Sequence, residues 1–323
     1  MRTDEEGTTK EAGGRASSRG VLLVLISAAT FGGLPVFAKL AYAEGVNLKT
    51  LLALRFTIAA VVMWLIWAYQ RSQSRGERAT TRWARILPLI VMGTIGYVGQ
   101  SFAYFTAVDI ISITATSLLL YTYPALVALL AWLFYREPFT VQKFGALVLA
   151  GAGTMMVLGI FSALFTVGGN ALGELRPAGV AWALAAAVIY SGYIIAGAKY
   201  TSTISPIFSS AIIISSAAVV YLTWGALSGE LQLQVSLPGL VWATGLALVS
   251  TVVAIATFFA GLRYVGPSRA AIISTLEPTV SVLLAALVFQ EMITLEQLLG
   301  GGLILVAVVV LQLGRKRNVM RED

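Results

Sequence analysis

A chain of 323 residues that is 58% hydrophobic and only 11% charged, with mean hydropathy +0.85, lacks the charge to cover a soluble surface. With no cysteine and no histidine, it has no disulfide, thiolate or imidazole chemistry; neither a metal site nor a cofactor is expected. The net charge of +7 lies between apolar blocks rather than on one basic face. That argues against nucleic acid and for the lipid bilayer as a partner.

Residues 1–19 are polar and predict a disordered cytoplasmic tail, without the pattern of a cleaved signal. Ten apolar spans follow, at 20–41, 50–70, 86–107, 112–135, 141–161, 178–199, 205–227, 237–260, 267–289 and 295–314. A basic tail occupies 315–323. Residues 162–177 form a Gly-rich outer connection between a first five-span half, 20–161, and a second, 178–314.

Counting spans from a cytoplasmic N-terminus puts eighteen of the twenty-two Lys and Arg residues inside. Only Lys49 and Arg176 fall outside, while Lys39 and Arg55 lie within spans. A missed span would scramble that separation, so both ends are expected in the cytoplasm.

An internal repeat runs through the chain. Residues 116–147 parallel 270–301 at a constant offset of 154, pairing Pro124 with Pro278, Glu137 with Glu291 and Thr140 with Thr294. Five spans per half is an odd number, so the second half enters the membrane in the opposite sense. The predicted fold is an all-α polytopic membrane protein: ten transmembrane helices in two inverted five-helix repeats, an arrangement common in secondary transporters.

Three markers carry a family resemblance: Leu54-Arg55-Phe56, then Pro124 followed by Arg136-Glu137-Pro138, and Glu277-Pro278 with Glu291. Together with the duplication they resemble the EamA-type branch of the drug/metabolite transporter superfamily, over roughly residues 20–314. The resemblance implies a central cavity between the halves. It also implies transport of small metabolites, amino acids or toxic compounds, usually outward, in a bacterial inner membrane. Tyr123 stands in the first half where the second has Glu277, so only one half carries a deep carboxylate.

Glu277 lies roughly 15 Å into its span, near the midplane, where an ionised carboxylate costs about 3 kcal/mol or more unless paired or hydrated. It is a candidate for binding a proton or a substrate amine; the alternative is a protonated carboxyl bonding a neighbouring helix. Ser274 and Ser281, three before and four after, would share its helix face. Pro124 and Pro278 are candidate hinges, each freeing a carbonyl one turn earlier. Arg55 either snorkels or pairs with a carbonyl, a carboxylate or an anionic substrate group; for Lys39 snorkelling is favoured. Gln100, Tyr104, Tyr121, Tyr123, Tyr190, Tyr193 and Thr257 are candidates to line the cavity, with helix packing as the competing reading. Gln100 would share one face with Tyr104 and with Gly93. Trp64 and Trp67 are expected in the interfacial belt. Gly93, Gly96, Gly99, Gly300, Gly301 and Gly302 are expected to serve helix packing.

The expected function is secondary transport of a small-molecule substrate by alternating access, with proton coupling through Glu277 an open alternative. No Walker-type loop supplies ATP chemistry. A membrane-embedded lipid-modifying enzyme would need several convergent ionisable groups, and a non-transporting scaffold or sensor is the remaining alternative.

Overall fold

The computed structural model describes residues 18–73, 83–111, 113–160, 176–290 and 292–319. The predicted tail at 1–17, most of the 162–177 connection, Glu291 and residues 320–323 lie outside them. Among the described residues the chain is helical, with no strand.

Seven helices are long and apolar enough to cross a membrane, and three shorter apolar helices accompany them. We label the elements α1 (Ser18–Ala43), α2 (Leu48–Gln73), α3 (Arg85–Ala107), α4 (Ile113–Leu120), α5 (Tyr123–Tyr135), α6 (Val141–Val157), α7 (Pro177–Tyr200), α8 (Pro206–Leu227), α9 (Leu237–Val265), α10 (Pro267–Ser274), α11 (Glu277–Phe289) and α12 (Leu295–Val319). Boundaries shift where helix-forming polar residues prolong a span. Helix α1 starts inside the predicted tail, and α12 continues through Arg315, Lys316 and Arg317, good helix formers.

Two predicted spans are broken rather than kinked. The helix stops at Tyr121–Thr122 between α4 and α5, and at Thr275–Leu276 between α10 and α11. Pro124 and Pro278 sit in the first turn of α5 and α11, where a missing N–H leaves no intrahelical bond unmade. The expectation that each proline frees a carbonyl one turn earlier within a continuous helix is corrected: each proline opens a new helix.

The sequence offset reappears as backbone geometry. Arg136 and Gln290, 154 apart, are the two non-glycine residues with positive φ among the described residues, at 52° and 55°, and each caps a helix C-terminus. Thr140 Oγ1 accepts the Lys143 backbone N–H at 3.3 Å, and Thr294 Oγ1 accepts that of Gln297 at 3.2 Å. These side-chain caps satisfy first-turn donors that have no other partner within the helix. Helices α3 and α9 each contain a π-helical stretch, Met92–Val98 and Leu248–Val253.

Helix α6 packs along α12, α2 along α8, α3 along α7 and α1 along α9. The α6–α12 contact is closest at Gly153 and Gly300, whose backbones nearly touch. A Cβ on Gly300 would lie 2.6 Å from the Gly153 carbonyl oxygen. Gly300→Leu is therefore expected to destabilise the protein by about 1–3 kcal/mol, read as a lower melting temperature in detergent. Gly302→Leu, whose Cβ would meet open space, should leave it unchanged. Packing thus explains Gly93 against α8, Gly96 against Tyr193 and Gly301 against Thr279, but not Gly99 or Gly302, which face open space.

The two ends of the bundle are tied differently. At one, Lys49 pairs with Glu230, and Asn47 and Gln232 link the α1–α2 and α8–α9 connections. At the other, Glu137 accepts Ser268 Oγ–H at 2.7 Å and pairs with Lys143 Nζ at 2.8 Å. There Tyr135 O–H also donates to the Ile195 carbonyl, and Arg263 to that of Thr201. Near this Glu137 end α10 packs on α5, and α10 is buried except at Arg269. Among the described residues α4 and α11 make no comparable contact, and of α11 only Pro278 is fully buried.

Candidate substrate site

Glu277 is the first residue of α11, immediately after the Thr275–Leu276 break. A carboxylate there is favoured by the free N–H groups and dipole of the helix start. It keeps part of its surface accessible, and among the described residues its carboxylate has no hydrogen-bond or ion-pair partner. The alternative of a carboxyl bonded to a neighbouring helix is not what the geometry gives.

Four phenols lie within electrostatic range of this carboxylate: Tyr104, Tyr121, Tyr123 and Tyr190. Tyr123 and Tyr190 pack edge to face with centroids 4.7 Å apart; Tyr190 stacks on Tyr193 at 6.2 Å. Tyr123 O–H donates to the Ala271 carbonyl at 3.3 Å, and Tyr104 shares a hydrogen bond with Ser117 at 3.1 Å. Gln100, one turn before Tyr104 on α3, is partly exposed and its amide has no partner among the described residues.

Other candidates resolve differently. Ser274 ends α10, so it does not share a continuous helix face with Glu277; it lies beside the Tyr123 hydroxyl. Ser281 remains on α11, but its hydroxyl donates to the backbone oxygens of Gly32 and Glu277. Thr257 hydroxyl bonds the carbonyls of Val253 and Ala254 on its own helix. Gly93 faces α8, because the π stretch between it and Gln100 rotates the register on which their shared face depended. Trp64 and Trp67 pack with Phe208, Trp64 donating to Ser215.

Arg55 does not snorkel. It is 5% exposed, eighth in α2, and its guanidinium reaches both π stretches. Nε–H donates to Thr251 Oγ1 at 2.7 Å, and Nη2–H to Tyr97 O–H at 3.0 Å and more weakly to the Ser250 carbonyl at 3.4 Å. A π turn adds one residue and displaces the regular i→i+4 carbonyls, and such insertions recur at functional sites. Thr251 hydroxyl in turn caps the carbonyl of Leu246, five residues back. No carboxylate pairs with Arg55 among the described residues, although it is close enough to act electrostatically on Glu277. Lys39 lies with Nζ 4.0 Å from the Phe289 ring centroid, a cation–π contact in place of plain snorkelling.

Two tyrosine clusters therefore join into one wall. Tyr97, bonded to Arg55, packs on Tyr193 at 5.9 Å and on Phe56 at 5.2 Å, and Tyr193 continues through Tyr190 to Tyr123. Tyr97, Ser250 and Thr251 were not singled out by sequence reasoning. The signal was present: Tyr97 lies seven residues before Tyr104, and Ser250-Thr251 is a polar pair in an otherwise apolar span.

A single family profile, that of the EamA-like transporter family, matches residues 18–159 and again 177–313. The chain belongs to the EamA-like transporter family. Its EamA-like relatives include the Bacillus subtilis (strain 168) protein YcbK, described as an uncharacterized transporter, 22% identical over 94% of each chain. Another is YxxF of the same organism, 24% identical over 84% of this chain and 82% of its own. A third, sll1319 of Synechocystis sp., is 26% identical over 60% of this chain and 56% of its own; both are again described as uncharacterized transporters. A solved crystal structure superimposes with TM-score 0.77 at 20% identity, covering 93% of this chain and 98% of that one, and shares the fold. The chain is thus an integral membrane protein of a transporter family.

Proposed function

We propose that this protein is a secondary transporter that exports small metabolites by alternating access between two inverted five-helix halves. The observation that carries this reading is Glu277, an unpaired, partly accessible carboxylate at the start of a broken helix, within electrostatic range of four tyrosines. Discontinuous helices with half-helix N-termini at mid-depth are how transporters build solute sites without exposing unsatisfied backbone to lipid.

Helix pairing supports the inverted arrangement. Exchanging α1 with α7, α2 with α8, α3 with α9, α4–α5 with α10–α11, and α6 with α12 maps the main pairings onto themselves, the α5–α10 contact being an exception. The α1–α9 contact becomes α7–α3, and α5–α7 becomes α11–α1. Both members of each pair occur, and the repeated caps and family matches lie on the same two halves.

The Glu137 end carries Arg136, Lys143, Lys199, Arg263 and Arg269, which makes it cytoplasmic, with both termini, in a bacterial inner membrane. The halves meet at the Glu137 end through α5 and α10; the α4–α11 side, where no comparable contact joins them among the described residues, is the outward opening in this reading, while Lys49–Glu230 holds the α1–α2 and α8–α9 connections together. In this reading Pro124 and Pro278 mark the points about which the half-helices move.

Saturable exchange of one metabolite class in proteoliposomes, identified first by comparing media of overexpressing and control cells, tests the reading. A purified, folded protein that moves none of the metabolites so enriched would overturn it.

A further inference from the structure

Helices α2 and α8 come from different halves and pack along each other. Their outer seam holds a groove of about 610 Å³, bounded on α2 by Thr57 and Ala68. Its floor is made of small residues, Ala60 and Ala218, 9% and 5% exposed. Its edges, Leu65 and Val219, stand 64% and 60% exposed. Apart from Thr57, Ser215 and the indole N–H of Trp64, the lining is aliphatic or aromatic carbon. Trp64 is pinned across the seam, its Nε1–H donating to Ser215 Oγ at 2.9 Å. Toward the Glu137 end the groove runs into Trp67, and there the Arg71 guanidinium lies 5.0 Å from the Trp67 ring centroid. Arg71 is exposed in the last turn of α2, and no carboxylate pairs with it among the described residues.

We propose that this seam binds one anionic phospholipid of the cytoplasmic leaflet, with an acyl chain in the groove and the phosphate on Arg71. The proposal takes from the reading above only that the Glu137 end faces the cytoplasm. It does not depend on which solute is carried.

Length and charge both fit that occupant. From Thr57 to Ala68 the groove runs roughly 16 Å along the helix axis, close to the roughly 15 Å of hydrocarbon in one leaflet. A chain lying in a concave groove meets protein atoms on several sides, and each added contact contributes dispersion energy that a convex helix face does not supply. Stacking on Trp67 occupies the face of the guanidinium and leaves its edge N–H groups for a phosphate. The connection that α2 enters, residues 71–85, carries five arginines and one glutamate, and basic charge just inside the membrane concentrates anionic lipid there. A second copy seated on the seam would bring its own basic end against this one, and like charges oppose that. Because the groove has one wall in each half, a lipid held in it bridges them.

The test uses the full-length protein, delipidated in detergent, with bound lipids counted by native mass spectrometry. The probes are dioleoyl phosphatidylglycerol, dioleoyl phosphatidylcholine with the same chains on a zwitterionic headgroup, and glycerol 3-phosphate, which has no chains. The wild type is expected to bind a first phosphatidylglycerol about fivefold or more tighter than phosphatidylcholine, the effect of one arginine near an anionic headgroup. Glycerol 3-phosphate should not compete. In Arg71→Gln the preference for phosphatidylglycerol should vanish while one lipid of either kind still binds. Ala68→Phe, which fills the groove from an exposed position, should remove the first site for both lipids. Phosphatidylglycerol should raise the melting temperature of the wild type and leave that of Ala68→Phe unchanged.

Equal binding of the two phospholipids by the wild type, or a first phosphatidylglycerol that persists in Ala68→Phe, would overturn the proposal. Competition by glycerol 3-phosphate would also overturn it, as an anion site without a chain. So would a lipid-free dimer that Ala68→Phe dissociates, which would give the groove to a second copy. Lipid counting needs no flux, so its failure leaves the transport reading standing. Absence of solute flux would defeat that reading and leave the lipid site untouched.

Discussion

Glu277→Gln is expected to abolish transport while leaving the protein folded. Glutamine keeps the size of the side chain and its polarity but removes the charge. The side chain is only partly accessible and has no partner among the described residues, so little of the fold depends on it. Losing one partner of a desolvated charge contact costs about 2–5 kcal/mol, which corresponds to about thirtyfold or more in transport efficiency. Glu277→Asp, which keeps the charge but retracts it by one methylene, should retain part of the activity.

The sign of the pH dependence follows from the groups around it. Those within electrostatic range of Glu277 are Tyr104, Tyr121, Tyr123, Tyr190 and Arg55. Phenols and guanidinium groups titrate only in alkaline solution, and the chain has no histidine. Glu277 is therefore the group in this set that gains a proton as pH falls. In the proposed reading protonation removes the charge with which Glu277 meets the solute, so apparent affinity should fall on the acid side. That dependence should disappear in Glu277→Gln. Flux measured across a series of pH values in both variants checks it; equal rates and equal profiles would remove Glu277 from the mechanism.

Breaking the Glu137 tie should shift the protein toward a cytoplasm-facing state. Glu137 sits on the α5–α6 connection in the first half and binds Ser268 at the start of α10 in the second. Among the described residues Tyr135 to Ile195 also crosses the halves at this end, and Tyr123 to Ala271 crosses them at the level of the helix break. A hydrogen bond to a charged group contributes about 1.5–3 kcal/mol, so Glu137→Ala should raise the cytoplasm-facing population by about ten- to a hundredfold. Ser268→Ala, which removes the donor but leaves the Glu137–Lys143 pair, should act in the same direction and more weakly. The readout is a cysteine placed at Gln100 and its reaction with a membrane-impermeant maleimide supplied from the cytoplasmic side. The chain contains no native cysteine, so that thiol reports alone.

The sequence made the spans and the duplication legible because both are local. Apolar runs and basic connections mark the elements one by one, and Thr140 with Thr294, recognisable as a matched pair, proved to be helix caps doing the same task. The breaks were not legible. Ser274-Thr275-Leu276-Glu277 contains nothing a helix excludes, and Pro278 reads equally well as a bend or as the first turn of a new helix. The Arg55 centre was hidden for a different reason. Its partners Tyr97 and Ser250 lie 42 and 195 residues away, and only tertiary packing, of α2 on α9 and of Phe56 on Tyr97, joins them. The π stretches leave no compositional trace, yet they displace Gly93 from the face it was expected to share with Gln100. Thr257 is a polar residue in an apolar span whose hydroxyl is satisfied within its own turn.

Impermeant maleimide labelling of the Gln100→Cys protein in oriented membranes, with every other residue native, bears most directly on a solvent-filled site shared by two opposed halves. The thiol should react when reagent is added on the Lys49–Glu230 side and stay protected from the Glu137 side. Protection from both sides, or reaction with lipid-dissolved reagent alone, would contradict it.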